Sequence, residues 1–164
     1  MARIIRPDSD VALGNWSNPS WSTIDEVTAD DGDYAESGGN PANDILIVGL
    51  GDVTDPNQDS DHTLRYRYQN TTTEGIDLVV KLKQGASTIA TFTHTSISDS
   101  WTTTSSALTQ AQASNISDYT DLRISFDANL TGLPGIPGPK CRVSWAELEV
   151  PDVYVAPAGM VFAS

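Results

Sequence analysis

The segment DPNQDSD sets oxygen-bearing side chains at alternate positions: Asp55, Asn57, Asp59 and Asp61. A calcium loop of the helix–loop–helix type takes ligands at its positions 1, 3, 5 and 7. Here the correspondence stops. Ser60 stands where the sharp-turn glycine belongs, and Tyr66 stands where the bidentate glutamate belongs. Calcium at an irregular oxygen loop is the metal chemistry this stretch offers, and a solvated acidic turn is the favoured alternative. Asp30, Asp31 and Asp33 form a second acidic group of the same kind.

A different chemistry is offered by GNWSNPSWST, where Trp16 and Trp21 lie in a loop-like segment. Loops carry function, and an indole exposed on one presents a flat apolar face against which a sugar ring can stack. The other use of such a tryptophan is to plug the end of a core, since tryptophan is buried on average. Trp101, at the start of a weak strand, is a further aromatic candidate, whereas Trp145 lies inside a strand and reads as core.

No catalytic residue set emerges. His62 and His94 lie on different expected strands, no Gly-x-Ser-x-Gly elbow occurs, and no glycine loop with a following lysine cradles phosphate. Cys141 is the single cysteine, so neither an internal disulfide nor a multi-cysteine zinc site forms. It sits in a strand pattern and reads as a small buried hydrophobe. The chain is therefore expected to be non-enzymatic and without a required cofactor.

The elements that must position these groups are strands. Period-2 alternation runs through HTLRYRYQ, IDLVVKLK and LRISFDA, and each fits an antiparallel strand with one wet and one buried face. ILIVGL is apolar on both faces and reads as a central strand, while STIATFTH and WTTTSSALT are weaker, threonine-rich strands. CRVSWAELEV shifts phase midway, which either a β-bulge near Trp145 or burial on both faces explains. KQGAS reads as a hairpin turn. LTQAQASNISDYTDL holds one turn of helix at most. TADDGDYAESGGNPAND is a polar loop of a length that is uncommon without a function.

GLPGIPGPK, residues 132 to 140, has the triplet grammar of collagen, but three triplets cannot hold a triple helix and strands flank it. It is a stiff connection. These elements define one all-β domain, a single antiparallel β-sandwich of the jelly-roll type. Its expected limits are an N-terminal arm and first strand over 1–14, the sandwich over 15–151, and an apolar tail over 152–164.

Charge narrows the partners. Nine basic and twenty-two acidic residues give a formal charge of −13. Nucleic acid and anionic membrane surfaces are both disfavoured. MARIIRPDSD lacks the apolar core of a signal peptide, and no apolar run approaches a membrane span.

IIRPDSDVALGNW, RYRYQN, DLVVKLKQG, SDYTDLRISF and RVSWAELEVP occur in that order, over about residues 3–151. Together they resemble small jelly-roll proteins of tailed bacteriophages and prophages, virion-surface modules that decorate the capsid or attach to the tail. That resemblance implies a structural, non-enzymatic role in the virion, after synthesis in the host cytoplasm. The implied partners are the major capsid protein or neighbouring copies of the chain, with a trimer as one form. Arg3 and Arg6 in the arm, with Val153, Tyr154, Val155, Met160, Val161 and Phe162 in the tail, are the candidate contacts. The competing expectation is a carbohydrate-binding module, free or on a virion, that engages surface glycans through Trp16 or Trp21.

Overall fold

The computed structural model describes residues 1–17 and 21–156. Met160, Val161 and Phe162 lie outside the described residues, so those tail candidates have no structural account.

Among the described residues, ten strands build two sheets. They are β1 (Arg3–Ile5), β2 (Pro7–Ala12), β3 (Ala35–Glu36), β4 (Asp44–Leu50), β5 (Thr63–Asn70), β6 (Ile76–Gln84), β7 (Ser87–His94), β8 (Thr102–Ala107), β9 (Leu122–Leu130) and β10 (Cys141–Val150). One sheet runs β1-β10-β5-β8, with β3 also on β10, and the other runs β2-β4-β9-β6-β7. Every pairing is antiparallel. The jelly-roll β-sandwich is therefore the architecture of this chain.

Alternation explains the two layers. In β5, Leu64, Tyr66 and Tyr68 are buried while Arg65 and Arg67 are half-exposed. In β6 and β9, Leu78, Val80, Leu82, Ile124 and Phe126 are fully enclosed. The two inner faces meet where the Tyr66 and Phe126 rings pack edge-on, 6.2 Å between centroids. Removing these surfaces from water is the main stabilising term of the fold. Two polar pairs lie inside: the Tyr66 hydroxyl is 2.6 Å from His94 Nε2, and His62 Nε2 is 2.8 Å from the Tyr119 hydroxyl.

The phase shift in β10 is a bulge. Its register against β5 slips between Val143 and Trp145, so Cys141, Val143, Ala146, Leu148 and Val150 all face inward. Trp145 consequently turns outward and is half-buried, not part of the core as its place in a strand implied. The hairpin after β6 turns through Gly85, whose φ of +55° suits glycine. One helical turn (α1, Gln110–Ala113) is capped by Thr109 and Gln112. GLPGIPGPK connects β9 to β10 without regular structure, as expected of a stiff loop.

The ends differ from expectation. Residues 1–14 are not a free arm: β1 pairs with β10 in one sheet and β2 pairs with β4 in the other. The Arg3 side chain donates to the Pro151 carbonyl, and Arg6 forms an ion pair with Glu147. Both arginines proposed as docking contacts are thus spent within the chain. Past Val150 no strand forms among the described residues. The Tyr154 N–H donates to the Pro56 carbonyl and Gln58 donates to the Asp152 carbonyl, laying the tail's start along the 51–61 loop. Val153, Tyr154 and Val155 are exposed there.

Candidate functional site

The outer face of the sheet containing β5 and β10 carries a loop, residues 24–34, folded across it. The Ala146 N–H donates to the Ile24 carbonyl, and the Trp145 indole donates to the Glu26 carbonyl at 2.9 Å. Arg67 grips Asp31 with two hydrogen bonds of 2.7 Å each. That guanidinium holds the Asp31 carboxyl below its ordinary pKa. The polar loop expected to need a purpose is therefore fastened to the sheet by named contacts.

The fastening places Tyr34, at the loop's end, beside Trp101, just before β8. Their rings lie 6.2 Å apart at 51° and both are half-buried. Arg142 stacks its guanidinium 4.3 Å from the Tyr34 centroid, and Arg67 lies 5.8 Å from the Trp101 centroid. Arg142 and Lys140 each donate to Glu36 at 2.6 Å. Burial opposes the charge on Glu36, but these two cations outweigh it and keep its pKa low. A cleft of about 230 Å³ opens alongside, lined by Glu36, Thr71, Thr72, Gly138, Lys140 and Arg142. Aromatic faces beside hydroxyls, a carboxylate and a guanidinium suit a ligand with both apolar C–H faces and hydroxyl groups.

The residues singled out from sequence are not brought together. Trp16 is 4% exposed, and its indole donates to the Asp44 carbonyl at 3.0 Å. It is core, which corrects its assignment as a sugar platform: no ligand reaches its face. Trp21 opens a single 3-10 turn (Trp21–Thr23) and is partly buried against the same core. Asp55, Asn57, Asp59 and Asp61 do not converge. Asp55 accepts from the Asn57 N–H at 2.7 Å, Asp61 accepts from Ser60, and Asn57 and Asp61 take positive φ. Among the described residues no group of three or more histidine, cysteine, aspartate or glutamate side chains is arranged to hold a metal. The oxygens are used in local turns instead.

Tyr34, Arg67 and Arg142 were not recognised in the sequence. The length of the loop bearing Tyr34 was the one signal for it.

No protein-family profile matches the sequence, and no curated protein matches it. Solved structures do. A structure described as "CBM4 structure and function" is 15% identical, with a TM-score of 0.45 over 75% of this chain and 88% of that one. A family 35 carbohydrate binding module from an environmental isolate is 12% identical, with a TM-score of 0.47 over 92% and 97%. The CBM22-1–GH10 modules of Clostridium thermocellum xylanase 10B, complexed with xylohexaose, are 14% identical, with a TM-score of 0.48 over 97% of this chain and 30% of that one. These likenesses concern the fold. The virion-surface expectation is corrected at this point. The similar structures named are carbohydrate-binding modules, and the arginines that were to dock onto a shell are bonded inside the sandwich.

Proposed function

We propose that this chain is a non-catalytic carbohydrate-binding module, and that it binds through the edge formed by Tyr34, Trp101, Arg142 and the adjoining cleft. The observation that carries this reading is the Tyr34–Trp101 ring pair on a loop fastened to the sheet. A pyranose offers C–H faces to the rings. Its hydroxyls reach Glu36, Thr71 and Thr72, and the free guanidinium N–H groups of Arg142 donate to ring and hydroxyl oxygens. The site is largely held in place before ligand arrives, which reduces the ordering cost of binding.

The test is affinity electrophoresis of the chain and of a Tyr34→Ala/Trp101→Ala variant through gels containing soluble polysaccharides. Retardation of the native chain by at least one polysaccharide, lost in a variant with an unchanged circular dichroism spectrum, is the expected result. Equal retardation of both proteins would place binding elsewhere and reject this site.

A further inference from the structure

β8 ends its sheet, and among the described residues no segment pairs with its outer side. The Leu108 N–H donates to the His62 carbonyl, toward β5. Backbone groups alternate direction along an antiparallel strand. Those of Thr102, Thr104 and Ser106 therefore also point to β5, while those of Thr103, Ser105 and Ala107 point away. These three residues are exposed, and no described group bonds their outward N–H and C=O groups.

An open edge is a template for another strand, and proteins normally shorten, bulge, charge or cover their edges. The other edges of this sandwich carry such devices. β1 has three residues, and β3 and the Ile24 carbonyl occupy the rest of that side of β10. β2 holds Pro7, Asp8 and Asp10, and slips register twice against β4. β7 slips register against β6 between Leu82 and Lys83, and α1 packs beside it. β8 has none of these. Its six residues, Thr102–Ala107, include no charge and no proline, and their register against β5 is unbroken. The arginines behind it on β5 are already matched, Arg65 by Glu147 and Glu149, and Arg67 by Asp31.

We propose that β8 is the interface of a two-fold dimer of this chain, pairing antiparallel with the β8 of a second copy. The edge is electrostatically complementary to itself, because each outward residue offers one donor and one acceptor. A two-fold axis at Ser105 sets Thr103 opposite Ala107 of the partner subunit and Ser105 opposite its own counterpart. Opposed residues of this kind exchange two hydrogen bonds each, about six in all. The side chains that meet across the join are small and uncharged, and cross-strand serine and threonine pairs are favourable. A foreign peptide gains no specificity here, since Thr, Ser and Ala form no side-chain pocket. The net charge of −13 repels a second copy at longer range. Salt screens that repulsion and leaves the backbone bonds in place, so the dimer tightens as salt rises. Trp101 lies four residues before Ser105, beside Arg67, which also donates to the Thr103 hydroxyl. The two Trp101 side chains of a dimer thus stand about 27 Å apart along the joined strands. One consequence rests on the carbohydrate reading: a single polysaccharide engages both copies.

The experiment is sedimentation velocity of the chain from micromolar to millimolar concentration, at low and at moderate salt, with hydrogen exchange of the β8 amides at both ends of that range. A monomer–dimer equilibrium is expected, tighter at moderate salt, with the Thr103, Ser105 and Ala107 amides slowed at high concentration only. Ser105→Glu faces Arg65 within its own sheet, which suits the fold, but sets two carboxylates against each other at the axis. It is expected to raise the dimer dissociation constant roughly tenfold or more. Ser105→Cys is expected to cross-link two copies under a mild oxidant. Opposed Cα atoms about 5.5 Å apart suit a disulfide, and the native Cys141 is buried. A monomer at every concentration overturns the proposal. So does a dimer that moderate salt weakens, that Ser105→Glu leaves unchanged or that Ser105→Cys does not trap, since the contact then lies elsewhere. Slow exchange at β8 whatever the concentration also overturns it, because another segment of the same chain then covers the edge. A chain that dimerises in this way but binds no polysaccharide rejects the carbohydrate reading alone.

Discussion

The Arg142 guanidinium lies over the Tyr34 ring, 4.3 Å from its centroid, while its Nε donates to Glu36 at 2.6 Å. One side chain therefore sets both the aromatic edge and the charge of the neighbouring cleft. Arg142→Ala removes the stack and half of the pairing on Glu36. It is expected to lower stability by about 1 kcal/mol in urea unfolding and to loosen Tyr34. Arg142→Lys keeps the charge but not the planar fork, and is expected to recover stability in part and polysaccharide retardation not at all. Full retardation by the lysine variant would remove the guanidinium from the site.

Trp16 makes the opposite kind of prediction. Because the indole is enclosed and bonded to the Asp44 carbonyl, Trp16→Ala is expected to cost about 3–5 kcal/mol. Trp16 fluorescence should resist quenching by iodide. A folded Trp16→Ala protein that loses only glycan binding would contradict its place in the core.

Stability should depend on pH through two histidines, the buried His62 and the half-buried His94. Burial lowers the pKa of both His62 and His94 from the ordinary 6.5. Between the lowered and ordinary values the unfolded chain binds protons that the folded chain does not, so unfolding gains on acidification. The contribution is complete above about pH 6.5 and is lost as pH falls below it, by up to about 1.4 kcal/mol per pH unit for each histidine. Glu36 and Asp31, held low by their cation partners, add a further loss below their ordinary carboxylate values, which Glu26 and Asp127, pushed up by burial, partly offset. Melting temperatures measured across this range for the native chain and for His94→Gln check this. An unchanged slope in the variant would show that His94 is not among the groups responsible.

Cys141 has no exposed surface, and burial pushes its thiol well above the ordinary range. An aromatic disulfide reagent is expected to leave it unmodified at neutral pH until denaturant is added, with the modification rate following unfolding. Rapid labelling of the native protein would mean that the β3–β10 edge opens locally.

How much of this was legible in the sequence depends on the range over which each feature is decided. β5, β6 and β9 were readable because alternation is a local property: Leu64, Tyr66 and Tyr68 on one side, Arg65 and Arg67 on the other. The β10 bulge was readable for the same reason, yet its effect on Trp145 was not, since which half of the strand faces inward depends on β5. The sites were far less legible. Thr103 and Ser105 plainly share a face with each other, but nothing local says that β8 ends a sheet. Tyr34 meets Trp101 on a loop held in part by Asp31 and Arg67, a contact between residues 36 positions apart. Trp16 was left open between platform and core because its surroundings look like a loop, and the carbonyl that accepts from its buried indole belongs to Asp44, 28 positions away.

The pairing of Arg3 with Val150 and of Ile5 with Leu148 gives the fold a direction of mechanical weakness. A load applied before Arg3 and after Val150 pulls two antiparallel strands apart from the same end. Their hydrogen bonds, which run perpendicular to the strands, then break one after another instead of sharing the force. β1 should peel first, taking the Arg3–Pro151 contacts with it, while the β4–β9–β6 centre remains intact. The sandwich would then behave as a zipper with a short first tooth, yielding at low force at its edge and resisting at its middle.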